Sequence, residues 1–92
     1  MSYKIDYRGQ LPDGAPGIAG EVLMYGPSDQ LLTISVTGTT MSQTWQGSDS
    51  PPRTDPVDPR PADVRAWVFN RITELERDGW RVSAVLSRRS AR

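Results

Sequence analysis

Proton transfer near neutral pH is usually the work of histidine, and the most reactive side-chain nucleophile is a cysteine thiolate; this chain of 92 residues has neither. The remaining nucleophiles are hydroxyls, crowded at Ser35, Thr37, Thr39, Thr40, Ser42 and Thr44, and the only bases left to activate one are Lys4 or a carboxylate. Tyr3, Tyr7 and Tyr25 could serve as acid or orienting hydroxyl, but tyrosines at strand positions commonly pack their rings and send the hydroxyl to solvent. Asp49, Asp55, Asp58 and Asp63 offer oxygen ligands, yet their spacing does not match a calcium loop and prolines stiffen the backbone between them. Glu74, Glu76 and Asp78 sit close to Arg71 and Arg77, which reads as a salt-bridged, solvated helix end. Gly14, Gly17 and Gly20 do not stand between a strand and a helix in a phosphate-cradling spacing. These residue types imply no metal and no cofactor, and they point toward a non-catalytic protein-binding or accessory module.

Charge adds little. Eleven basic residues balance eleven acidic ones, so no global field steers the chain toward nucleic acid or anionic lipid. A local anion site is conceivable at the C-terminus, where Arg81, Arg88, Arg89 and Arg92 gather. Weak nucleic-acid binding through these residues is one alternative function, although a broad basic face interleaved with aromatics is missing. No stretch approaches the about 20 apolar residues that span a bilayer, and no signal segment is recognised, so no membrane role is expected. With no disulfide framework to build, the expected compartment is the cytoplasm. The preference for Arg over a single Lys, with much Pro, Asp and Trp, suits a GC-rich bacterial genome.

The elements that must position these side chains follow from periodicity. Ninety-two residues make one small domain, spanning residues 1–92. Residues 3–8 alternate Tyr3, Ile5 and Tyr7 with Lys4, Asp6 and Arg8, as a half-solvated strand does. Residues 10–20 crowd Pro and Gly and read as a loop. Residues 21–26 and 31–37 form a hairpin, the first strand apolar on both faces, the second alternating Leu32, Ile34 and Val36 with Thr33, Ser35 and Thr37. Residues 41–46 form a weakly amphipathic strand suited to a sheet edge. Residues 47–61 hold five prolines and read as a long proline-rich loop.

A helix follows, with Pro61 and Asp63 at its start and Val64, Val68, Ile72 and Leu75 along one face. Trp67 and Phe69 flank that stripe, each about 100° from Val68. Gly79 ends the helix; with Asp78 as the cap and Gly79 in the left-handed conformation, Trp80 meets Leu75 in a Schellman motif. Trp80, Val82, Ala84 and Leu86 then alternate with Arg81, Ser83, Val85 and Ser87 in a last strand, before a basic tail at residues 88–92. The helix, Gly79-Trp80 and following strand, over residues 72–86, resemble the corresponding unit of a family of small bacterial domains of unknown function. That resemblance carries no activity with it.

The expected fold is therefore α+β: a mainly antiparallel sheet of four or five strands with one helix packed on one face, in the order strands, helix, strand. One helix cannot cover both faces of strand 21–26. The second face, taken to carry Leu23, Tyr25 and Val85 with Trp45 at its edge, is the expected binding surface for a protein partner or a second copy in a homodimer, and Trp67 on the helix is a further binding candidate, although rings beside a helical stripe more often cover the margins of the sheet. The other alternative is a small enzyme or ligand-binding protein with a pocket between helix and sheet, lined by Tyr7, Tyr25, Met24 or Trp67.

Overall fold

A computed structural model describes residues 11–12, 18–38 and 40–89. They form five strands, β1 (Ile18–Tyr25), β2 (Leu31–Thr37), β3 (Thr40–Gln46), β4 (Arg53–Pro56) and β5 (Arg81–Arg89), with one helix, α1 (Val64–Arg77), before the last strand. The sheet has the order β4-β3-β2-β1-β5 and every neighbouring pair is antiparallel. This is an α+β fold with strands, helix and strand in sequence. The expected strand at residues 3–8 lies outside the described residues.

One face of the sheet meets the helix. Val22 and Met24 of β1, Leu32, Ile34 and Val36 of β2, and Met41 of β3 are buried against Val64, Val68, Ile72 and Leu75 of α1. The helical stripe is the expected one, because residues three and four apart share a helix face. Leu11 joins this cluster, 2% exposed, and Val57, whose amide donates to Met41 O at 2.8 Å, packs against it.

The helix ends are satisfied locally. Asp63 is the N-cap, its carboxylate accepting from the Ala66 amide at 3.1 Å. At the other end Gly79 has φ 95, its amide donates to Glu76 O at 3.1 Å, and the Trp80 amide donates to Leu75 O at 3.0 Å. These two bonds are the Schellman pair, and they turn the chain into β5 with Trp80 placed over the core's margin.

Three segments differ from their expected form. Residues 18–20, expected in a loop, open β1, and Gly20 is there because the chain returns close to it: a Cβ at position 20 would lie 2.6 Å from Cβ of Pro12. The proline-rich stretch 47–61 contains β4, which pairs with β3 from Ser42↔Pro56 to Trp45↔Arg53, so β3 is an interior strand and not the edge. An outermost strand bonds on one side only and tolerates proline at its end, which is why a composition poor in apolar residues still pairs here. Residues 88 and 89, expected in a tail, continue β5 opposite Ala19 and Ile18.

Two substitutions test the helix boundaries. Gly79→Ala is expected to lower stability by about 1 kcal/mol or more, since alanine is strained at positive φ, and Asp63→Ala by about 1 kcal/mol through the lost cap. Denaturant midpoints at constant slope measure both, and unchanged midpoints contradict these assignments.

Candidate functional site

Opposite residues of antiparallel strands share a face, so the pairing registers define the side of the sheet turned away from α1. One row across it runs Ala84, Leu23, Thr33, Thr44 and Thr54, from β5 to β4. The next runs Leu86, Glu21, Ser35, Ser42 and Pro56, and a third holds Arg81, Tyr25, Leu31 and Gln46. The face is thus divided. Hydroxyls dominate over β2, β3 and β4, where Thr44 Oγ1 and Thr54 Oγ1 lie 3.0 Å apart; carbon dominates over β5 and β1.

Tyr25 is 55% and Leu86 51% exposed, the large hydrophobics most open to solvent among the described residues. Leu23, Ala84 and Leu31 lie between and beside them, partly buried. Glu21 and Arg81 bracket the apolar area at opposite ends, and neither is ion-paired to a described residue.

The expected site residues divide between the two faces. Leu23 and Tyr25 lie on the helix-free side. Val85 does not: it pairs with Val22 and packs against the helix-side core. The cause is a bulge. Met24 opposes Val82 while Leu23 opposes Ala84, so Ser83 is an extra residue and the alternation of β5 reverses across it. Val82 and Val85 consequently share the helix side, and Ala84 and Leu86 take the place expected for Val85. Leu86 was missed for the same reason, since unbroken alternation sets Leu86 with Val82, whereas Glu21 shares the face of Leu23 and Tyr25 by simple alternation along β1 and was not singled out.

Trp45 and Trp67 also belong to the helix side. Trp45 pairs with Leu32, meets Trp80 edge-on with ring centroids 5.9 Å apart, and carries the Arg71 guanidinium 5.6 Å above its ring. Arg71 Nε donates to Gln43 Oε1 at 2.9 Å and its Nη1 lies 3.3 Å from Glu74 Oε1. That arrangement seals the core's margin between α1 and β3. Trp67 packs, partly buried, against the same core.

Of the arginines expected to form an anion site, two positions can be set against a third along β5. Arg81 begins β5 and residues 88 and 89 end it, about 20 Å away at the rise of a strand, while Arg92 lies outside the described residues.

Among the described residues, those expected to line one pocket are divided between the two sides of the sheet. Met24 is fully buried, Tyr25 faces the other way, and Tyr7 lies outside the described residues. An open depression of ≈ 270 Å³ sits at the sheet end beside Trp45, Gln46, Ser50 and Arg53, and Arg53 is engaged there with Asp55 at 3.3 Å. A shallow apolar hollow of ≈ 410 Å³ lies beside Leu11, Ala66 and Phe69. Among the described residues no polar side chain is buried, and no three carboxylates converge as a metal site. No helix among them is long and apolar enough to cross a membrane.

No protein-family model, curated protein or solved structure matches this chain.

The two sides of the sheet should respond differently to substitution. Trp45→Ala is expected to cost about 2 kcal/mol of stability, having lost a ring contact, a cation–π contact and buried area. Thr44→Val on the other side should remain within about 0.5 kcal/mol of the parent. Equal losses from the two, measured by urea unfolding, would contradict this division.

Proposed function

We propose that this chain is a non-catalytic protein-binding module that uses the helix-free face of its sheet. One observation carries the reading: Tyr25 and Leu86, each more than half exposed, stand on the same face of neighbouring strands with Leu23 and Ala84 between them. Aromatic and aliphatic side chains on a rigid sheet present contact area at little entropic cost, and a few such anchors carry most of the energy of an interface. The hydroxyls of Thr33, Ser35, Ser42 and Thr44 supply a hydrogen-bonding rim along one side, as binding faces commonly place polar groups around an apolar centre.

Catalysis finds less support. An acid–base group is normally poised by burial in a cleft, and among the described residues no polar or charged side chain is buried.

The test is quantitative capture on an immobilised intact chain, probing either another protein or an untagged copy. Tyr25→Ala and Leu86→Ser should each reduce the captured protein about 10-fold or more while shifting the unfolding midpoint little, because neither side chain is in the core. Undiminished capture by both variants would sink the assignment of this face.

A further inference from the structure

The two edges of the sheet differ in the backbone groups they leave unbonded. The Gly26 amide donates to Gln30 O at 2.8 Å, one step beyond the Tyr25↔Leu31 pair. Hydrogen-bonded and non-bonded pairs alternate along an antiparallel ladder, so Met24, Val22 and Gly20 bond toward β2, while Leu23, Glu21 and Ala19 bond toward β5. Their opposites Ala84, Leu86 and residue 88 therefore bond inward, and the amides and carbonyls of Val85 and Ser87 point out of the sheet. On β4 the bond from the Val57 amide to Met41 O sets the same alternation, which leaves Thr54 and Pro56 as the outward positions. Proline has no amide, so Thr54 is the one outward donor of β4, whereas β5 contains no proline along its nine residues. Among the described residues β5 pairs with β1 alone.

The core margin beside that edge is open as well. Successive helical residues turn by about 100°, so Phe69 lies on the flank of α1 opposite Trp67 and Arg71. Arg71 reaches Trp45 on β3, which turns the Phe69 flank toward β5. There Leu11, Ala66 and Phe69 line the apolar hollow of ≈ 410 Å³. The chain enters at the same place: Arg65 Nε donates to Leu11 O at 3.4 Å, and Pro12 lies against Gly20, which also neighbours Leu86 O.

Ten residues precede Leu11, and residues 3–8 among them alternate Tyr3, Ile5 and Tyr7 with Lys4, Asp6 and Arg8. A strand with two unlike faces needs an edge to bond and an apolar surface for one side; the β5 edge and the hollow offer both. Six residues span about 20 Å, and residues 9 and 10 bridge about 10 Å to Leu11. Because Leu11 and Pro12 sit at the Leu86 end of β5, a segment lying along that edge runs in the same direction as β5.

We propose that residues 3–8 add to the outer edge of β5 as a parallel sixth strand, with Tyr3, Ile5 and Tyr7 turned toward the hollow beside Phe69. This stands apart from the reading of the helix-free face.

Amide exchange and nuclear Overhauser contacts in the intact, isotope-labelled chain test it. The Val85 and Ser87 amides should exchange within about 10-fold of Ile34, and contacts should join residues 3–8 to residues 82–87. Ile5→Asp should speed exchange at Val85 and Ser87 about 10-fold or more while Ile34 changes less than about 3-fold. Asp6→Asn, on the opposite side of the segment, should leave all three within about 3-fold of the parent. If Ile5→Asp unfolds the chain, the contacts in the parent decide alone. Free exchange of Val85 and Ser87 in a parent whose Ile34 is protected overturns the added strand, as does protection there without contacts to residues 3–8. In a mixture of labelled and unlabelled chains, contacts that cross between copies overturn pairing within one chain.

Discussion

An α-helix with its side chains is about 10 Å across, and five strands at about 4.8 Å spacing span roughly twice that width. Most of this molecule follows from that mismatch. The single helix α1 sets Val64, Val68, Ile72 and Leu75 over the middle of the sheet, where Val22, Met24, Leu32, Ile34 and Val36 are fully buried. The margins need other cover. On the β3 side it comes from Trp45, Trp80 and the Arg71 guanidinium, and further apolar cover comes from Val82, Val85 and Phe69. These groups combine an apolar body with, for Arg and Trp, a polar tip that stays wet, which is what a boundary between core and solvent requires.

The same mismatch leaves the other face without a helix, and the sequence treats its two halves differently. Over β2 and β3, threonine and serine oppose one another in register, Thr33 with Thr44 and Ser35 with Ser42, and hydroxyls of this kind remain hydrated at no penalty. Over β1 and β5 the same two rows hold Leu23 with Ala84 and Glu21 with Leu86, and the next row sets Tyr25 beside Arg81. Solvation alone gives no reason for carbon there when the neighbouring strands show that hydroxyls fold in the same sheet. An exposed apolar area gathered on one half of a face is what the proposed binding surface would use.

How far these features could be read from residue order depends on whether their causes are local. The helix and its Gly79-Trp80 exit were legible because capping bonds and the i, i+3, i+4 stripe involve neighbours in sequence. The double-sided character of β1 was equally legible, since Val22, Leu23, Met24 and Tyr25 are consecutive. The pairing of β4 was not: Thr54 and Asp55 gain their place from β3, ten or so residues away, and prolines on both sides mask the strand. The bulge at Ser83 was illegible for a similar reason. Whether β5 keeps strict alternation is decided by its register against β1, and residues 84–86 are apolar without a break, so nothing in the order of types reveals which of Val85 and Leu86 turns outward. Residue order set Leu23 and Tyr25 on the helix-free side, where they lie, whereas Val85, Trp45 and Trp67 pack on the helix side.

Side-chain footprinting by hydroxyl radicals and mass spectrometry reads the central claim directly, that the helix-free face is where this chain meets protein. In dilute solution Tyr25 and Leu86 should label readily and Met24 and Met41 hardly at all. As concentration rises, or as a captured partner is added, Tyr25 and Leu86 should become protected together while labelling of Val57 on the helix side stays constant. Labelling of Tyr25 and Leu86 that does not change on association, or that is already suppressed in the dilute monomer, would contradict the account.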